Sequence, residues 1–97
     1  MLDKIKALMD MQKKMQEVKR ELENTDFEIR SSDGLVKIVM SGSQDIRNVE
    51  ISGNLAEIEK QGLENSIKEG FVRAIKRCQE IATQKMKDIT GLNLPGM

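Results

Sequence analysis

Through the first quarter of the chain, apolar residues recur at Leu8, Met11, Met15, Val18 and Leu22, with no Gly or Pro between Leu2 and Asn24. Steps of three and four make a heptad seam on a helix predicted over about residues 2–24. Leu2, Ile5 and Met9 widen the stripe beyond what a two-stranded seam needs, so this helix is expected to pack on something. On another face Lys6, Asp10, Lys13, Glu17 and Arg20 follow one another at i+4, i+3, i+4 and i+3. Alternating charges at that spacing predict a solvated salt-bridge ladder.

The middle third changes period. Phe27 and Ile29, then Val36, Ile38 and Met40, then Val49 and Ile51 alternate at two, which predicts three antiparallel strands near 26–31, 35–41 and 45–51. Asp33-Gly34 suits a primed hairpin turn, and Ser41-Gly42-Ser43 reads as a second turn. The central strand, GLVKIVMSG, is apolar on both sides: Val36, Ile38 and Met40 on one face, Leu35 and Val39 on the other. Both faces therefore ask for cover. Asn54 followed by Glu57 predicts a short helical turn over 55–60, and Gly62 is expected to stop or kink it.

A second helix is predicted over about 63–90, with Ile67, Phe71, Ala74, Ile75, Cys78, Ala82, Met86 and Ile89 on one broad stripe and Gly70 as a weak point. Gly91 supplies a positive-φ stop, and Pro95 bars resumption in the tail 91–97. Such a helix runs about 40 Å, longer than six-residue strands can cover. Part of it must project or meet another chain. Helix, three-stranded antiparallel meander and long helix make one α+β domain over 1–97.

Composition narrows the chemistry. In 97 residues Phe27 and Phe71 are the only aromatics, so a core of Leu, Ile, Val and Met is expected, and a fold this small often gains burial by oligomerising. The chain has no His or Tyr, and Cys78 lacks an imidazole partner, so no catalytic residues are assigned. There is no Gly-rich phosphate loop and no Cys/His cluster with zinc spacing, which leaves no cofactor or metal site and no expected small-molecule substrate. Cys78, on the apolar stripe, reads as a buried inert thiol. No apolar run is long enough for a signal peptide or a membrane span, and a lone cysteine suits a reducing cytosol.

Sixteen acidic and sixteen basic residues balance, so any anionic partner must be held by a local patch. Arg73, Lys76, Arg77, Lys85 and Lys87 on the second helix, and Lys13, Lys14, Lys19 and Arg20 on the first, are the candidates for phosphate contacts. Interspersed Glu17, Glu21, Glu23, Glu69 and Glu80 favour ordinary solvated faces on composition alone.

Three strings change that balance. KKMQEVKRELE, GLVKIVMSGSQDIRNVEIS and AIKRCQEIATQKMKDITGLNLPGM, in this order, resemble the YbaB/EbfC family of bacterial nucleoid-associated proteins over nearly the whole chain. The resemblance implies a tight homodimer shaped like tweezers, with projecting helices as arms that bind double-stranded DNA in the nucleoid, and a non-catalytic role in DNA packing and gene regulation. The nine cations named above are the residues available to the arms. A protein–protein adaptor using the same arms is the competing reading.

Overall fold

In the computed structural model, which describes residues 2–91, the elements are α1 (Leu2–Glu23), β1 (Asp26–Arg30), β2 (Val36–Ser41), β3 (Ile46–Ile51), a 3-10 turn (Leu55–Glu57) and α2 (Lys60–Thr90). The strands form an antiparallel sheet in the order β1-β2-β3, so the α+β class and its element order are as the alternation predicts. Pairing sets Ile38 opposite Ile29 on one side and Val49 on the other. The register of β3 slips between Val39 and Met40, so that Met40 faces Ile46 across a bulge.

The core lies where α2 crosses the sheet. Val36, Ile38 and Met40 of β2 are buried against Ala74 and Cys78, with Phe27, Ile29, Leu63, Ile67 and Phe71 around them. Gly70 explains itself here. A Cβ at that position would stand 3.1 Å from Ile38 Cδ1, so the glycine that weakens the helix lets it approach the strand closely.

Leu35 departs from the expected two-faced pattern. It precedes β2, beyond the Gly34 turn, and packs against the core rather than sharing a face with Val39. The far face is answered by charge. Lys37 Nζ sits 3.0 Å from Glu50 and 3.6 Å from Glu28, bridging all three strands around half-buried Val39. Glu50, first by hydrogen bonding, raises the Lys37 pKa, and Lys37 lowers that of Glu50.

The first turn is not the primed pair. Of its residues only Gly34 has positive φ, and Gly34 N–H donates to the Ser31 carbonyl at 3.0 Å. A four-residue loop built on an ordinary turn, closed by a left-handed glycine, gives Asp33 a different task. Its carboxylate accepts from Ser31 Oγ (2.6 Å), from Leu35 N–H (3.0 Å) and from Ser66 Oγ on α2. Ser32 donates through both its N–H (2.8 Å) and its hydroxyl (3.0 Å) to Glu69. The turn is thereby clasped to the helix.

Donation from Ser31 and then Ser66 holds the Asp33 carboxyl at about 2, below its ordinary 3.8. A depressed carboxylate stabilises the fold in full above its unfolded pKa and loses that contribution as pH falls through the folded one. Asp33→Ala is therefore expected to melt lower than the parent at pH 7. The gap should narrow between about pH 4 and pH 2. A difference in melting temperature that stays constant over that range would contradict the clasp.

Two further boundaries differ from the sequence pattern. Asn54 Oδ1 accepts Ala56 N–H at 3.0 Å, but the helical turn it starts closes after Glu57. α2 then begins at Lys60, with Gly62 inside its first turn, because Leu63 N–H already reaches the Glu59 carbonyl at 3.0 Å. At the other end Gly91, at φ 70, returns its N–H to the Lys87 carbonyl as the expected left-handed cap. Pro95 and the rest of 92–97 lie outside the described residues.

Candidate nucleic-acid interface

α1 leaves the sheet at a tight junction. Gly42, in the β2–β3 turn, lies under Leu22, where a Cβ would meet Leu22 Cδ2 at 2.9 Å and the Leu22 carbonyl at 3.0 Å. Gly42 N–H donates to the Thr25 carbonyl (2.9 Å), and Cys78 Sγ lies 3.1 Å from the Gly42 carbonyl. The thiol is buried, as its place on the stripe predicts. Arg47 reaches the Glu23 carbonyl at 2.9 Å, and Lys85 Nζ lies 3.5 Å from Glu21.

From that root α1 runs out along the far part of α2, and only Val18 is fully buried. Every described residue from Leu2 to Glu17 is exposed, Leu2 at 83% and Leu8 at 68%. The chain is accordingly long and thin, 68 × 24 × 15 Å.

The nine candidate cations do not form one patch. Arg73 is structural: its guanidinium donates to the Arg30 carbonyl (3.1 Å) and lies 3.4 Å from Glu69, so it fastens α2 to β1. Arg77 pairs with Glu80 at 3.2 Å. Arg77 and Lys85 line a shallow groove that also presents Asp26, Glu80 and Asp88. Carboxylates thus offset these three.

The other six, Lys13, Lys14, Lys19, Arg20, Lys76 and Lys87, make no ion pair or side-chain hydrogen bond among the described residues. Lys76 and Lys87 are eleven residues apart on α2, nearly in phase at about 100° per residue, and share its outward side. Lys14 precedes buried Val18 by one turn and lies toward α2, whereas Lys13 and Arg20, seven apart, point away from it.

The predicted ladder on α1 does not close. None of Lys6, Asp10, Lys13, Glu17 and Arg20 is within ion-pair distance of another. Lys6 to Asp10 and Lys13 to Glu17 place the cation first at i,i+4, the weaker orientation, but the acid-first pairs Asp10 to Lys13 and Glu17 to Arg20 are open as well, in keeping with the small net worth of exposed pairs. By its spacing Lys6 belongs to that ladder rather than to the phosphate candidates. Only the open pairs reveal it as an available charge.

A second surface of a different kind adjoins the core. Direct cross-strand partners point to the same side of a sheet, so Ile51, Val49 and Ile46 share the face of Val36, Ile38 and Met40. Yet they are 42%, 42% and 54% exposed. α2 lies over β2 and β1 and leaves β3 bare. Ile75, on the flank of α2 opposite Glu69 and Arg73, borders the same open strip and is also exposed.

Among the described residues no cluster of His, Cys, Asp and Glu is arranged to hold a metal ion, and no helix is long and apolar enough to cross a membrane. Comparison with known proteins gives concordant results. Residues 1–93 match the model of the YbaB/EbfC DNA-binding family. The chain is 38% identical to a nucleoid-associated protein of Synechocystis, with 99% of this chain and 91% of that one aligned. It also superposes on the crystal structure of an uncharacterized protein of Helicobacter pylori with a TM-score of 0.71. That match spans 82% of this chain and 86% of the other at 18% identity, and so speaks for the fold.

Proposed function

The chain belongs to the YbaB/EbfC DNA-binding family, and from that premise we propose that it is a non-catalytic, nucleoid-associated protein that binds double-stranded DNA as a homodimer and alters its conformation or packing. The supporting observation is the set of six cations, Lys13, Lys14, Lys19, Arg20, Lys76 and Lys87, carried on two long helices with no carboxylate partner. Neutral total charge is no obstacle, because phosphates respond to local groups and a two-fold dimer presents each group twice. Contacts of this type fix affinity without reading sequence.

The bare strip on β3 and α2 is the face we assign to the partner subunit. A protomer that leaves Ile46, Val49, Ile51 and Ile75 open beside its own core gains burial when a second copy covers them. β3 is also an edge strand, so its outer backbone groups are free to pair. The aliphatic stripe of α1 supports the adaptor reading in a subordinate way, since Leu2, Ile5 and Leu8 stand exposed on the arm. A stoichiometric protein partner surviving nuclease treatment would favour that reading.

Binding measured on several unrelated duplexes across a salt series tests the DNA proposal. Each neutralised phosphate contributes about −0.9 to the slope of log affinity against log salt, so a steep slope common to all duplexes is expected. Flat salt dependence, or no retardation at low salt, would defeat it.

A further inference from the structure

Building on the DNA-binding reading, we propose that phosphate contact is concentrated on one line of α1, formed by Lys6, Lys13 and Arg20. These residues recur at seven-residue intervals. A seven-residue step advances about 10 Å along a helix and returns to within about 20° of the same direction. The three charges therefore stand in a row about 21 Å long, on the side of α1 turned away from α2.

Three properties suit the row to a polyanion. All three side chains are exposed and unpaired among the described residues. Asp10 and Glu17 are displaced by about 40–60° around the helix from the cations on either side of them, leaving a cationic line beside an acidic one rather than a mixed ladder. A duplex carries one negative charge per about 1.7 Å of its axis, so a straight row of this length meets phosphates at every position without a required register. Sequence-tolerant attachment follows from the row's geometry. On α2, by contrast, Arg73, Arg77 and Lys85 each have a carboxylate within 4 Å, leaving Lys76 and Lys87 as the open charges among its phosphate candidates.

The experiment compares three variants of the full chain with the parent in salt-titrated binding to one duplex. Lys6→Gln with Lys13→Gln and Arg20→Gln is expected to make the log–log slope shallower by about 3 if one arm touches the duplex and about 5 if both do. Lys76→Gln with Lys87→Gln should change it by less. The exchange Lys13→Glu with Glu17→Lys preserves net charge but moves one cation off the row. It should reduce the slope by about 1 per engaged arm, an effect that total charge cannot produce. Helical circular dichroism matching the parent confirms that each variant is folded, since all six sites are exposed or half-buried helix positions.

An unchanged slope in the triple variant, or a larger loss from the α2 pair, overturns the row while leaving the DNA reading in place. A folded parent that fails to bind any duplex overturns both.

Discussion

Val49→Asp is expected to yield a folded monomer where the parent sediments as a dimer at micromolar concentration. Val49 pairs across the sheet with fully buried Ile38, on the core side, yet is 42% exposed in the isolated protomer. In that setting an aspartate keeps its water, so the fold should survive with little change in helical signal. Buried under a partner subunit, the same carboxylate would lose its hydration without gaining a cation. Even a fraction of that desolvation cost, about 3 kcal/mol, weakens association by about two orders of magnitude. Glu28→Gln, on the opposite face of the sheet, serves as the control and should sediment like the parent. Sedimentation velocity decides it: a Val49→Asp dimer as tight as the parent's would remove β3 from the interface.

Gly42→Ala is expected to cause a large loss of stability for a change of one methyl group. The added Cβ would lie 2.9 Å from Leu22 Cδ2, 3.0 Å from the Leu22 carbonyl oxygen and 3.2 Å from Leu22 Cα. The side-chain methyl can rotate away, but the two backbone atoms move only if the end of α1 moves. Overpacking of this kind costs about 1–3 kcal/mol, which for a domain of this size lowers the melting temperature by roughly 4–8 °C per kcal/mol. Gly62→Ala makes the contrast. Its Cβ would meet only Glu59 Cβ, at 4.0 Å, inside the first turn of α2. There alanine improves helix propensity, and stability should be unchanged or rise by up to about 1 kcal/mol. Thermal melts that rank the two substitutions equally would refute the close approach at Leu22.

Much of the architecture was legible because it is written in local periods. The switch from steps of three and four to alternation at two marks the end of α1, and its return marks α2. What a period cannot express is how many strands one helix can roof. A helix with its side chains is about 10 Å across, while neighbouring strands are about 4.8 Å apart, so α2 shelters two strands and the third is left over. Val49 and Ile51 therefore carry a core pattern without a core. Their alternation is the same as that of Val36 and Ile38, and only the placement of α2 separates them.

Other features depend on the approach of residues distant in sequence. Gly42 reads as turn chemistry, and nothing near it in the chain announces Leu22. Gly70 reads as a helical weakness until Ile38 is seen against it. Asp33 beside Gly34 suggests a primed turn, whereas its hydrogen bonds with Ser31 and Ser66 show it fastening a loop to a helix. Among the cations, spacing identifies which could pair but not which do. Arg73 is engaged through a carbonyl of β1 that no helical pattern includes, and Lys6 stands free although its spacing to Asp10 predicts a partner.

The junction at Gly42 also has a mechanical meaning. α1 extends about 24 Å beyond buried Val18, and its root is held by the contacts around Leu22 and Thr25 together with the packing of its last turns on α2. For a lever of that length, a rotation of about 10° at the root sweeps the far end through about 4 Å, a little more than one base-pair rise of a duplex. The compliance of that root therefore sets the span over which the arm can follow a straight or a curved polyanion.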